Sequence, residues 1–364
     1  MLPKAVIVVG RGSFGDPPVR GASMIPALEP VANRPIIQHV LDGFRAASIN
    51  ELIIAGEADT LIAVSNCLTP EDGAGELEYA ICEPGLDMAA TLRSVARLVG
   101  DSPCILQPGD GLLGEPVASL VHSVTPDSPD LILPVPDLTN ALGDEEPGAV
   151  NGSAGLGSWE RTILRPATNG SSRHADANAE VAVFGPGALR RACELVGPED
   201  RADLALIADR LSSAGASVRF QLAESWRRYN GDGRDLLELN RLALDALCSD
   251  VRPSLRAENR IEGRVAIHPT ASARASVIIG PTVIGEGASI ENAYIGPYTS
   301  VGAGARIEGA EIERSIISPG ATVVHVGGRL VSSLVGRNAR VFRDFSLPRA
   351  MRLWVGDGDE VALC

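Results

Sequence analysis

The sequence predicts an α/β sheet with helices on its faces over residues 1–250, followed by a parallel β-helix over residues 251–364. Three observations predict it. The apolar run AVIVV at residues 5–9 leads straight into the glycine-rich loop GRGSFGDPPVRG at residues 10–21. Strand-like and helix-like segments then alternate through the first half. Beyond residue 255 apolar residues recur every six positions: Ile278, Ile284, Ile290, then Ile295 after a five-residue step, Val301 and Ile307.

Taken in order, short apolar runs predict strands at 5–9, 51–55, 104–107, 131–135, 180–184 and 218–222. Amphipathic segments predict helices at 36–47, 88–99, 187–196, 203–214 and 235–247. In such a sheet, ligands sit outside the carboxyl ends of the strands. The loop from Gly10 and the PGDG loop at 108–111 both leave such ends. The polar, glycine-rich stretch 141–159 reads as a surface loop. In the second half, a six-residue period fits neither strand alternation nor a helix stripe. It fits coils that turn a corner every sixth residue and stack an aliphatic side chain inward, because no coil buries its own face alone. The tail FRDFSLPRAMRLWVGDGDEVALC leaves the repeat and is expected to cap it or pack across it.

The 364-residue chain is long enough for two cores. Lys plus Arg is 32 and Asp plus Glu is 46, a formal net charge of −14. Such a chain repels nucleic acid and anionic membranes, so neither is expected as a partner. A small anionic ligand is not excluded, since a few local arginines outweigh distant carboxylates. No signal peptide or 18-residue apolar span is present. The six scattered cysteines form no CxxC pair, which fits reduced thiols in a cytoplasm better than a metal or disulfide framework.

Three stretches carry a family resemblance: KAVIVVGRGS, PVANRPIIQHVLDGFRAASINELIIAGE and GDSPCILQPGDGLL. They resemble the sugar-phosphate nucleotidylyltransferases. The repeat GPTVIGEGASIENAYIGPYTSVGAGARIEGAEIERSII, with PRAMRLWVGDGDEV, is similar to the long-form glucose-1-phosphate thymidylyltransferases, which include members of antibiotic pathways. The resemblance implies a Rossmann-like nucleotidyltransferase domain, then a left-handed parallel β-helix; the stacked coils expose a surface for self-association, so a homo-oligomer is expected. The implied reaction is attack of a sugar-1-phosphate oxygen on the α-phosphate of a nucleoside triphosphate, with release of pyrophosphate. The protein must align two anions and neutralise the charge that builds up, so a glycine-rich loop, cations and Mg²⁺-holding carboxylates are expected.

Carried over residue by residue, the resemblance makes Gly10, Arg11, Gly12 and Ser13 the nucleotide-binding loop. The family arginine that follows is Phe14 here, and the family lysine falls at Pro26 or a neighbour. Arg11 and Arg20 are candidates to supply the missing charge. Asp110 matches the first metal-binding aspartate. The second falls at Tyr229, so either Asp232 replaces it in holding Mg²⁺ with Asp110, or Asp110 alone holds the ion with triphosphate and water. Arg165 stands at the sugar-phosphate motif, and Arg201 with Asp203 matches a further catalytic segment. The base-reading glutamine falls near Cys82, and a glycine near Asp87. Gly10, Gly12 and Asp110 have a plainer reading as turn residues, and the arginines as solvated surface charges. The implied function is transfer of a nucleoside monophosphate, from GTP or dTTP, to a sugar or valienol-type cyclitol 1-phosphate. The alternative is an inert regulatory paralogue that keeps the fold and loses the phosphate cations. An acyltransferase or scaffold role for the β-helix alone is disfavoured, because it leaves the N-terminal motifs unexplained.

Overall fold

The computed structural model describes residues 3–10, 25–68, 77–83, 88–114, 117–122, 129–136, 149–150, 180–197, 203–223 and 226–343. The chain forms two compact units, Met1–Leu247 and Cys248–Cys364.

In the first unit the strands are β1 (Lys4–Val8), β2 (Pro30–Val31), β3 (Arg34–Pro35), β4 (Leu52–Gly56), β5 (Leu77–Ile81) and β6 (Cys104–Pro108). They continue with β7 (Gly111–Leu113), β8 (Leu131–Pro136), β9 (Ala149–Val150), β10 (Ala182–Phe184), β11 (Val218–Ala223) and β12 (Trp226–Arg228). The main sheet has the order β5-β4-β1-β6-β10-β8-β11-β9. Strands β5, β4, β1 and β6 run parallel, β10 is antiparallel to both its neighbours, and β8 and β11 are parallel. The order reverses beside β1, with β4 on one side and β6 on the other. A crevice forms at such a switch point.

The sheet is apolar on both faces because helices cover both. Alternation along β1 sends Val6 and Val8 to one face and Ala5 and Ile7 to the other. The first face packs against α3 (Met88–Val99), α5 (Ala188–Leu195) and α6 (Leu204–Ser213). The second packs against α1 (Ile36–Ala46), α2 (Ala58–Cys67), α4 (Val117–His122) and α7 (Gly233–Asp245). The six expected strands and five expected helices are all present, with ends moved by one or two residues. Helices α2 and α4 and strands β2, β3, β5, β7 and β12 are additional. Within the expected loop 141–159, Ala149–Val150 forms a strand antiparallel to β11; the rest of that stretch lies outside the described residues.

The second unit opens with α8 (Pro253–Glu258) and then winds through three five-stranded parallel sheets. One contains Val277–Ile279 and Tyr294–Ile295, the next Thr282–Ile284 and Thr299–Val301, the third Ser289–Glu291 and Arg306–Glu308. Ile278 stacks on Ile295, Ile284 on Val301 and Ile290 on Ile307. All six are at most 1 % exposed, so the six-residue period is the inward-pointing ladder of a left-handed parallel β-helix. The five-residue step to Ile295 is a tight corner at Asn292, where φ is 50°. Strand Arg340–Phe342 still belongs to the third sheet, so the repeat runs past the expected start of the tail. Residues 344–364 lie outside the described residues. Among the described residues, no helix is long and apolar enough to cross a membrane.

Candidate functional site

Two loops leave adjacent parallel strands at the switch point. Val8 pairs with Pro108, and the Gly109 N–H donates to Val8 O at 2.8 Å. A Cβ on Gly109 would stand 2.7 Å from Val9 Cγ1, so only glycine lets this loop lie against the end of β1. Gly10 and Asp110 therefore emerge side by side, from strands about 4.8 Å apart. Arg11, Gly12 and Ser13, with Phe14 and Arg20, lie outside the described residues, as do Arg165, Arg201 and Asp87.

Asp110 is buried, and each oxygen of its carboxylate accepts from Arg228. Arg228 Nε donates to Oδ1 at 2.9 Å and Nη2 to Oδ2 at 3.1 Å. The two side chains are only 4 % and 6 % exposed. Arg228 Nη1 also donates to Glu180 Oε1 at 2.9 Å, and the Trp226 indole N–H donates to Glu180 Oε2 at 3.2 Å. Burial pushes the Glu180 carboxyl above its usual range, against the pull of Arg228. Burial alone would lower the Arg228 guanidinium, but Asp110 and Glu180 together raise it.

A short ladder sets this arrangement. Strand β12 runs antiparallel to β7, with Arg228 opposite Gly111, and the Tyr229 N–H donates to Asp110 O at 3.0 Å. Alternation then turns Trp226 and Arg228 to the same side. Gly111 is needed beneath them, because a methyl there would overlap the Trp226 ring. Gln107 braces the turn from below, its Nε2 donating to Gly111 O at 3.2 Å. Arg228, Glu180 and Trp226 were not legible as site residues. Arg228 reads as one of two surface arginines in WRRY, and its partner Asp110 is 118 residues away.

The remaining expected residues have other engagements. Asp232 is exposed, and its Oδ1 accepts the Arg234 N–H at 2.9 Å as the N-cap of α7. Asp203 is the exposed N-cap of α6, accepting the Leu206 N–H at 2.8 Å. Its helix packs on the sheet face opposite the one that buries Trp226 and Tyr229. Tyr229 is itself in that core, its phenol shifted upward first by burial and then by Glu29, Asp235 and Asp232. Pro26 is buried at the start of a short 3-10 helix, Pro26–Leu28, and supplies no cation. Cys82 is buried too, with its thiol pushed up chiefly by burial. PVANRPI forms the β2–β3 hairpin. Ala32 and Asn33 turn at positive φ, and the buried Asn240 side chain accepts the Ala32 N–H at 2.9 Å.

In one form of the Mg²⁺ expectation Asp110 and Asp232 share an ion; in the other Asp110 alone holds it with the triphosphate and water. Both carboxylates have other engagements here. Arg228 holds both oxygens of the first, and the second caps a helix. Among the described residues no group of three or more His, Cys, Asp or Glu side chains converges on a metal position.

Comparison with known proteins gives full-length likenesses. The chain is 28 % identical over 364 aligned residues to a glucose-1-phosphate thymidylyltransferase of Streptomyces griseus, covering 97 % of this chain and 98 % of that protein. It is 28 % identical to the Streptomyces antibioticus glucose-1-phosphate thymidylyltransferase, covering 99 % of each. It is 29 % identical to the low-salt glycan biosynthesis nucleotidyltransferase Agl11 of Haloferax volcanii, covering 92 % of this chain and 93 % of that one. A solved structure described as a glucose-1-phosphate thymidylyltransferase of Bacillus anthracis matches with a TM-score of 0.50 at 18 % identity. It covers 68 % of this chain and 97 % of its own, and it supports the fold. No family profile matches the chain. The three full-length relatives support a place in the sugar-1-phosphate nucleotidylyltransferase family.

Proposed function

We propose that this chain is a sugar-1-phosphate nucleotidylyltransferase of the long-form thymidylyltransferase type. It transfers a nucleoside monophosphate from GTP or dTTP to the 1-phosphate of a sugar or valienol-type cyclitol, in a secondary-metabolite pathway of the cytoplasm. A phosphate oxygen of the acceptor bonds to the α-phosphorus, the α–β bridging bond breaks, and pyrophosphate leaves with the electron pair. The observation that carries the reading is the pairing of full-length likeness to nucleotidyltransferases with two loops at one switch point, Gly10 beside Asp110. The loop residues Arg11, Gly12 and Ser13 would cradle the triphosphate, and Arg165 and Arg201 would face the acceptor phosphate. Their work is alignment and charge neutralisation. No step is assigned to a metal held by the protein.

One observation favours the inert regulatory paralogue as the second reading: Asp110 is committed to Arg228. A pyrophosphate-release screen decides between them. Purified full-length protein is offered GTP, dTTP, ATP, CTP and UTP in Mg²⁺ buffer. Acceptors are glucose-1-phosphate, mannose-1-phosphate and a valienol-type 1-phosphate. Release with at least one pair is expected. Silence across the panel, with nucleotide still bound in calorimetry, establishes the regulator instead.

A further inference from the structure

We propose that Arg228 is a built-in cation that closes the Asp110 position to any divalent ion held by the protein. This holds under either reading above, because it concerns the apo site rather than turnover. Mg²⁺ needs carboxylate oxygens at about 2.1 Å in near-octahedral order. Here both Asp110 oxygens already accept guanidinium N–H groups, at 2.9 and 3.1 Å, in the bidentate fork that suits a carboxylate. An ion on either oxygen would compete with the fork and stand beside a fixed positive charge.

Arg228 cannot step aside by losing its proton, as a lysine can. Nor is it held by Asp110 alone. Glu180 grips Nη1 from the other side, and Trp226 holds the second oxygen of Glu180. The guanidinium is therefore positioned by groups that a metal on Asp110 would leave in place. The charges are one cation between two carboxylates, a net of −1 in a buried cluster, where an Asp110–Mg²⁺ unit would carry +1. The neighbouring positions agree: 229 is a buried tyrosine, and Asp232 is occupied as a helix cap. Any divalent ion that reaches this loop arrives on the triphosphate.

The test uses Mn²⁺ alone as the probe, titrated into full-length apo protein and read by electron paramagnetic resonance. The wild type is expected to bind no Mn²⁺ that Asp110→Asn abolishes. Arg228→Met frees two carboxylates that had shared one guanidinium, so it is expected to gain a Mn²⁺ site. That site should vanish in Arg228→Met/Asp110→Asn. Mn²⁺ binding by the wild type that disappears in Asp110→Asn overturns the proposal. So does a folded Arg228→Met protein that gains no site. If Arg228→Met does not fold, the wild-type and Asp110→Asn titrations alone decide. Pyrophosphate release enters neither arm, so failure here is distinct from failure of the proposed reaction.

Discussion

Replacing Asp110 with asparagine tests how much the first unit depends on its buried ion pair. The substitution keeps one acceptor oxygen, but removes the charge and turns an amide donor toward a guanidinium that only donates. Breaking a buried pair costs about 3–5 kcal/mol, because the surviving charge stays desolvated. Both partners here are nearly inaccessible, at 4 % and 6 % side-chain exposure. Glu180 remains on Arg228 Nη1, so the guanidinium keeps one carboxylate and the lower end applies, about 3 kcal/mol. For a unit of this size each kcal/mol moves the midpoint by about 2–4 °C, so the N-terminal transition should fall by about 6–12 °C. Differential scanning calorimetry measures the midpoint, and urea titration of Asp110→Asn, Arg228→Met and the double variant gives the coupling energy. A loss below about 1 kcal/mol with coupling near zero would mean that the pair is not held in solution. The Asp110 position would then be open to a metal. Turnover of Asp110→Asn is therefore compared well below its own midpoint. Turnover measured there reports on the site rather than on unfolding.

Two further outcomes follow from single positions. Gly111→Ala drives a methyl into the Trp226 ring and should cost about 1–3 kcal/mol, read as a lower urea midpoint with altered tryptophan fluorescence; an unchanged midpoint contradicts the β7–β12 packing. His39 has its pKa lowered first by burial, then by Arg34, against the Val31 carbonyl bond and Asp42. The native state thus binds fewer protons than the unfolded chain. Its contribution is whole above about pH 6.5 and is lost as pH falls from there through the lowered native value. His39→Gln should flatten the fall in thermal midpoint over that window, and an identical fall in both proteins removes the assignment.

The β-helix was legible because each of its turns buries one aliphatic residue, so the period survives in a single sequence. Ile278, Ile284 and Ile290 needed no long-range knowledge. The sheet strands were legible as apolar runs because helices cover both faces. Helix α2 was not, since Ile62 is 59 % exposed and the apolar residues of Ala58–Cys67 draw no clean stripe. Strands β7 and β12 span three residues each, too few for any period to show. At the site, Asp110 was legible because a loop after a buried strand is where ligand groups sit. Its partner was not. Charge pairing across 118 residues leaves no local trace, and a buried arginine has the same letter as a solvated one.

The register between β7 and β12 also changes what the departures from the family pattern mean. Along the sequence, Tyr229 stands where the resemblance places a carboxylate, and Arg228 is its neighbour. Across the ladder the two act together. Residue 229 bonds Asp110 through its backbone, which brings residue 228 opposite Gly111 and its side chain onto the Asp110 carboxylate. A carboxylate at 229 would add negative charge to a cluster that already holds two acids for one cation. A tyrosine there adds apolar packing against the sheet and leaves the Arg228 fork undisturbed. Putting aspartate back at 229 is therefore not the reverse of its loss, because the guanidinium would still hold Asp110. Pro26 is buried in the 3-10 turn, so a lysine there would have to lift its ammonium out of that packing. Arg228→Met is therefore the substitution expected to expose the Asp110 carboxylate first, as the Mn²⁺ titration tests.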